Sequence, residues 1–403
     1  LISGYTQYGL CIEALNCFEQ MEYEGFSPNV VTFVSVLKAC GSVGVVDKGN
    51  QIHEKLVQKG LIEKYTMLGT ALVDMYAKCA VLVKAHNVLL ELPIRDIVSW
   101  NALITGYSQQ GQGHEILKCY NRMQCEGLSP DEVTSICVLK ACGNTSSIDK
   151  GIQIHSKIVS RILAYSGDTV LGTTLVDMYA KCGMLTKAQQ VLEELPTRNT
   201  VSWNVMIAGY ARRGQGYRAL NCFQQMQSEG LSPDNVSFLS VLTACSRSGL
   251  LSEAQLVFQN MSNEYGITPS LEHQTCLVDI FGCGGHFEKA MSVIKVMPSS
   301  NYPAIWRSVL GACRRWGNLE IGRLAFHHAS QLDTWCATSY VLMANIFACA
   351  NMEEDTKKVL MTSLNVHQEV LDDKYKHVLR EHSEELLFHN NYIQHVGDLC
   401  FAM

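Results

Sequence analysis

The chain has no excess of positive charge. Its 32 Lys and Arg stand against 38 Asp and Glu, a formal balance of −6 over 403 residues. A basic surface is the simplest footprint of nucleic-acid binding, so RNA or DNA recognition must rest on something other than bulk phosphate attraction. Proline is scarce, at 8 residues, and glycine is ordinary at 30, which excludes collagen-like and Pro/Gly-rich disordered chains. No apolar run approaches the roughly 18 residues of a membrane-spanning helix, so no membrane partner is expected. The 17 cysteines include no Cys-x-x-Cys pair. The closest spacings are Cys137/Cys142, Cys119/Cys125 and Cys11/Cys17. That spacing does not suit a zinc ribbon, and a long chain without a secretory signal does not read as a disulfide scaffold. There is no P-loop, dinucleotide glycine fingerprint, G-x-S-x-G or H-E-x-x-H. No cofactor or metal is therefore expected.

Residue 1 is Leu, and Leu1-Ile2-Ser3-Gly4 reads like the middle of a helix. There is no signal or transit pattern at this end. In a fragment, that absence would carry no information about cellular address.

What the chain does have is an internal repeat. Ser35-Val36-Leu37-Lys38-Ala39-Cys40 returns as Cys137-Val138-Leu139-Lys140-Ala141-Cys142 and again as Ser240-Val241-Leu242-Thr243-Ala244-Cys245. Leu72-Val73-Asp74-Met75-Tyr76-Ala77-Lys78-Cys79 returns at Leu175–Cys182, and Val98-Ser99-Trp100-Asn101 at Val201–Asn204. The long period divides into units 97–131, 132–168 and 169–199, preceded by 30–65 and 66–96 and followed by 200–234, 235–270 and 271–302. Repeats of this size are stacked supersecondary units. In 97–131, Trp100, Leu103, Ile104 and Tyr107 share one helix face, and Ile116, Leu117, Tyr120 and Met123 make a second stripe after a Gly-bearing turn. Gly127 suits a left-handed cap, and Pro130 stops the helix. Helices this short are marginal alone, so each unit must bury its stripe on its neighbours. The expected fold is all-α, a right-handed α-solenoid of helix-turn-helix repeats. The recurring cysteines fall in the stripes, where they pack as small hydrophobes.

The alternating unit lengths, together with Val98–Tyr107 (VSWNALITGY), Leu175–Gly183 (LVDMYAKCG) and Gly127–Asp131 (GLSPD), resemble the pentatricopeptide repeat family, specifically its plant PLS subclass. The resemblance implies a partial P unit at 1–29, then L, S and P units in turn: 30–65 L, 66–96 S, 97–131 P, 132–168 L, 169–199 S, 200–234 P, 235–270 L and 271–302 S. Residues 303–369 resemble that family's E-type motifs, through Ala304-Ile305-Trp306 to Gly317-Asn318 and Tyr340–Phe347. The tail 370–403 departs from the family pattern.

The resemblance implies binding of single-stranded organellar RNA, one repeat per base, by the fifth and last residues of a unit. RNA exposes base edges that a helical repeat can read, and Asn and Thr can hydrogen-bond them. The implied pairs are Thr70/Asp96, Asn101/Asp131, Thr173/Asn199 and Asn204/Asp234, reading G, U, A and U (or C). Thr275 and Asn29 are matches whose partners are atypical or missing, since Tyr302 stands where Asp is usual. The L units carry Val34, Ile136 and Leu239 at the fifth position and should be weakly read, giving G-U-N-A-U-N-N. Val98 and Val201 resemble base-sandwiching residues. Asn, Thr and Asp at helix starts are also common caps. With this mild acidity, affinity is expected to rest on base-edge contacts and local lysines such as Lys78 and Lys181 more than on phosphate neutralisation, with a modest salt dependence.

His382-Ser383-Glu384 resembles the first half of a DYW-type cytidine deaminase site, with His382 as a zinc ligand and Glu384 as the proton shuttle. The second half, a Cys-x-x-Cys, is absent, and Cys400 alone cannot complete it. The chain is thus expected to be no enzyme but a C-to-U editing specificity factor. It would recruit a deaminase-bearing protein through 303–369, in a mitochondrion or chloroplast, with no DNA partner. The rivals are transcript stabilisation or processing without editing, a protein-binding helical scaffold, and a deaminase site completed in an unexpected way.

Overall fold

The computed structural model describes residues 1–159, 169–297 and 302–368. All regular structure among these residues is helical, in 23 helices joined as hairpins. The first helix of each hairpin begins at Ile2, Val30, Thr66, Ile97, Glu132, Thr169, Thr200, Asn235, Leu271, Pro303 and Ala337. A second helix follows after a short turn, as Gly113–Cys125 follows Ile97–Gln109. None of these helices is long and apolar enough to cross a membrane.

Local chemistry sets the boundaries. Asn29, Asp96, Asp131 and Asp234 sit one residue before a first helix in extended backbone, and each accepts a hydrogen bond from the N–H three residues on. At Asp96 the Ser99 side chain reaches back to the cap N–H, a reciprocal capping box. Chain reversal after the second helix falls on glycine: Gly127 has φ +80°, where a side chain would be strained.

The described residues form two compact units, one up to Gly209 and one from Tyr210 onward. In the first, Val30–Val43 packs on Thr66–Lys78, which packs on Ile97–Gln109, and Glu132–Thr145 packs on Thr169–Lys181. The second helices fill in behind, as Leu82–Glu91 touches both Thr66–Lys78 and Ile97–Gln109. Trp100, Tyr76, Tyr120 and Tyr179 are fully buried between these layers. Contact is close enough to demand glycine at Gly106, where a Cβ would stand 2.7 Å from Ala77 Cβ. In the second unit, Asn235–Ser248, Leu271–Cys283, Pro303–Trp316 and Ala337–Cys349 stack in turn. Their core includes Val278, Phe281, Trp306, Leu310, Met343 and Phe347.

The described cysteines are free thiols, and most are buried or half-buried. Cys79 Sγ points at the Cys40 carbonyl and Cys182 Sγ at the Cys142 carbonyl, each at 3.7 Å. The repeated sequence thus places its cysteines at a repeated helix–helix contact. Burial pushes these thiols up, Cys40 and Cys142 to about 11, as expected of packing residues.

Candidate nucleic-acid interface

The first helices carry the candidate base-reading residues. In unit 97–131, the fifth residue and the last are joined directly. Asn101 Nδ2 donates to Asp131 Oδ2 at 2.8 Å, while Thr134 Oγ1 donates to Asn101 Oδ1 at 2.5 Å. These two bonds fix the amide's orientation and leave one N–H and one lone pair of Asn101 unspent. Asp131 is doing a second task with its other oxygen: Oδ1 accepts from the Thr134 N–H at 2.9 Å and caps the following helix. Capping and side-chain presentation are therefore not alternatives, because a carboxylate has two oxygens.

Capping recurs at the other last positions. Asp96 and Asp234 accept from Ser99 N and Ser237 N at 2.8 Å, and Asn199 from Ser202 N at 2.9 Å. Asn29 accepts from the Thr32 N–H at 2.9 Å and from its hydroxyl at 3.0 Å. The fifth-position threonines differ among themselves. Thr70 and Thr275 donate to the carbonyl one turn back, Thr66 O at 3.3 Å and Leu271 O at 2.7 Å, which leaves their oxygens as acceptors. Thr173 Oγ1 is buried without a hydrogen-bond partner among the described residues. Asn204 is buried in the first unit, and Asp234 caps its helix in the second.

Next to these polar residues stand apolar ones that the fold leaves in solvent. Val98 is 57% exposed and Val201 58%. Val98 and Asn101 are three apart on one helix and share a face.

A comparison with known proteins gives the family. The PPR repeat family matches at residues 95–144 and 198–247, the pentatricopeptide repeat domain at 1–43, and the PPR repeat at 173–200, 236–264 and 275–302. The chloroplastic pentatricopeptide repeat-containing protein At4g25270 of Arabidopsis thaliana is 35% identical over 360 residues, covering 89% of this chain and 67% of that one. The chain belongs to the pentatricopeptide repeat family.

The putative Arabidopsis thaliana pentatricopeptide repeat-containing protein At1g68930 is 37% identical over 330 residues, covering 82% of this chain and 44% of that protein. The chain spans about half the length of most of the curated relatives it matches. Other relatives carry the word mitochondrial or chloroplastic in their names. The crystal structure of maize PPR10 in complex with an 18-nt psaJ RNA element aligns with a TM-score of 0.69 at 18% identity, over 91% of this chain and 60% of that one. That likeness establishes the α-solenoid fold.

Within the pentatricopeptide repeats, the structure extends the list of exposed second-position residues. Val31, Met67, Val133 and Val170 in the first unit and Val236 in the second are 59%, 55%, 47%, 57% and 56% exposed. The signal for them was present in the sequence, since all five occupy the register of Val98 and Val201. In unit 271–302 the same register holds Glu272. The two lysines carry ion pairs. Lys78 pairs with Asp74 at 2.7 Å and Lys181 with Asp177 at 2.6 Å, each one turn back on its own helix. Their charge is spent locally, a consequence of the i,i+4 spacing. The matching Asp279 has Cys283 instead of Lys one turn on, and accepts from the hydroxyls of Ser246 and Ser308. His382, Glu384 and Cys400 lie outside the described residues.

Proposed function

We propose that the chain binds single-stranded RNA sequence-specifically along its first helices, with the fifth and last residues of a unit reading one base. The Asn101–Asp131 hydrogen bond is the observation that carries this reading. It gives the amide one oriented donor and one oriented acceptor, the complement of the N3–H and adjacent carbonyl of uracil. The exposed valine three residues earlier offers an apolar surface for the flat face of a base. The solved PPR10 structure, a complex with an 18-nt psaJ RNA element, supports the same reading for this fold. Equilibrium binding to a short oligomer carrying G-U-N-A-U, against a scrambled sequence, tests it. Tighter binding to the first is expected, and equal affinity for the two rejects base reading.

The finer reading is an organellar C-to-U editing specificity factor of the PLS subclass. It would act through a deaminase supplied by another chain and bound at 303–369. Support comes from the E-type resemblance of 303–369 and from the two hairpins there, Pro303–Trp316 with Leu319–Leu332 and Ala337–Cys349 with Glu353–Gln368. Sequencing organellar transcripts with and without the protein decides between roles. Loss of one edited C just 3′ of a G-U-N-A-U stretch is expected. Altered transcript ends or abundance with every C still edited would instead mark a stabilising or processing role.

A further inference from the structure

One thiol is built unlike the others. Cys336 is the N-cap of the 13-residue helix Ala337–Cys349 and is only half-buried, beside the exposed Thr334 and Trp335. Arg307, on the neighbouring helix Pro303–Trp316, donates from Nη1 to Cys336 Sγ at 3.3 Å and to Asp333 Oδ2 at 3.3 Å. Ser339 stands in the first turn beside Cys336, where its backbone amide donates to the Cys336 carbonyl at 3.1 Å. Ser339 is 1% exposed, and its Oγ completes no hydrogen bond among the described residues. A buried hydroxyl beside a sulfur lacks a good acceptor while that sulfur is a thiol. It gains one when the sulfur is an anion.

We propose that Cys336 is a nucleophilic thiolate, a modification site that exchanges with small disulfides at the seam between helices Pro303–Trp316 and Ala337–Cys349. The Arg307 guanidinium donates to the sulfur, and the buried, unpartnered Ser339 hydroxyl lies one turn along the same helix. A helix N-terminus adds favourable potential for a negative charge. The charged groups facing it are Arg307 and, through Arg307, Asp333. Burial alone would push this thiol up, but Ser339 in the first turn and the Arg307 guanidinium together outweigh it and bring it below the ordinary range. Burial leaves Cys119, Cys245 and Cys313 on the other side of that range, at about 12.

The reaction balances without an outside oxidant beyond the disulfide. The Cys336 sulfur attacks one sulfur of R–S–S–R, a Cys336–S–S–R bond forms, and the second half leaves as R–S⁻. The proton lost by Cys336 goes to solvent or to the departing thiolate. Arg307 loses its anionic sulfur partner, and the new group occupies the mouth of the seam.

The chain carries its own controls in Cys125 and Cys349, both exposed. The full chain is treated with glutathione disulfide, or with iodoacetamide across a pH series, and the modified cysteines are mapped by mass spectrometry. Cys336 should react first, with a pH midpoint below those of Cys125 and Cys349. Arg307→Gln should slow its reaction at neutral pH about tenfold and raise the midpoint. Ser339→Ala should shift the midpoint in the same direction and leave Cys125 unchanged. Arg307→Lys, which keeps the charge, should restore most of the rate. Thermal melts of each variant identify any that fail to fold, and the Ser339 and Lys variants then carry the test. If Cys336 reacts no faster than Cys125 and Cys349, or with the same pH midpoint, the proposal is overturned.

Discussion

At the scale of single residues, Asp131 shows how a repeat can use one side chain twice. One oxygen caps the helix Glu132–Thr145 and the other holds the Asn101 amide. Replacing Asp131 with Ala removes both. The cap is worth about 1 kcal/mol, so the melting temperature should drop, and discrimination in favour of U at that base should weaken. Asp131→Asn keeps a good capping residue, so its stability should stay near the parent value while base preference changes. A melting curve and a binding series over the four bases separate the two tasks. If both variants bind all four bases with the parent's preferences, Asp131 is a cap and nothing more. Exchanging Asn101→Thr removes the amide and should move the preference from U towards G. The same four-base series reads this out, and an unchanged preference would count against Asn101 as a reader.

At the scale of helices, His–Tyr pairs recur between neighbours. His53 Nδ1 lies 3.0 Å from Tyr76 Oη, His86 Nδ1 3.0 Å from Tyr107 Oη, and His155 Nδ1 2.8 Å from Tyr179 Oη. Burial pushes all three histidines below 6.5, and pushes Tyr76 and Tyr107 up to about 12. Lysines or arginines facing His53, His86 and His155 act in the same direction, and Glu54, Glu91, Glu115 and Glu194 oppose it. A histidine lowered in the folded state binds its proton more readily when unfolded. Stability is therefore full above the unfolded value and is lost as pH falls through the folded ones. Melting temperature should fall between about pH 7 and about pH 5, and His86→Gln should flatten part of that slope. Gln189 occupies the matching place in unit 169–199, so the fold accommodates that side chain. A melting temperature that rises on acidification would contradict the assignment. Close helix contact gives a second expectation. Gly106→Leu would drive a side chain into Ala77 and Leu82, costing about 1–3 kcal/mol in a denaturant titration. Gly111→Ala, in open space but at φ +67°, would cost through the backbone alone.

At the scale of the whole molecule, charge decides how binding responds to salt. The net charge is −6, and Lys78 and Lys181 are already paired with carboxylates on their own helices. Few counterions would be released on binding, so the log–log dependence of affinity on salt should be shallow. A slope like that of a strongly basic protein would show that phosphate contacts, and not base edges, supply the affinity. The paired lysines were legible as Asp and Lys four apart. The bond between Asn101 and Asp131 spans 30 residues and was legible only as a recurring register. The contact of Arg307 with Cys336 gave no sequence signal, because 29 residues and a hairpin separate the two.

The sequence by itself determined the helix pairs, their boundaries and the family. Apolar stripes, caps and αL glycines act within a few residues, so they can be read along the chain. Tertiary structure decided which polar groups meet. It joined Asn101 to Asp131, set the histidines against buried tyrosines and brought Arg307 to Cys336. Those contacts arise only when one hairpin stacks on the next, because stacking is what brings distant residues into hydrogen-bond range and removes water from between them.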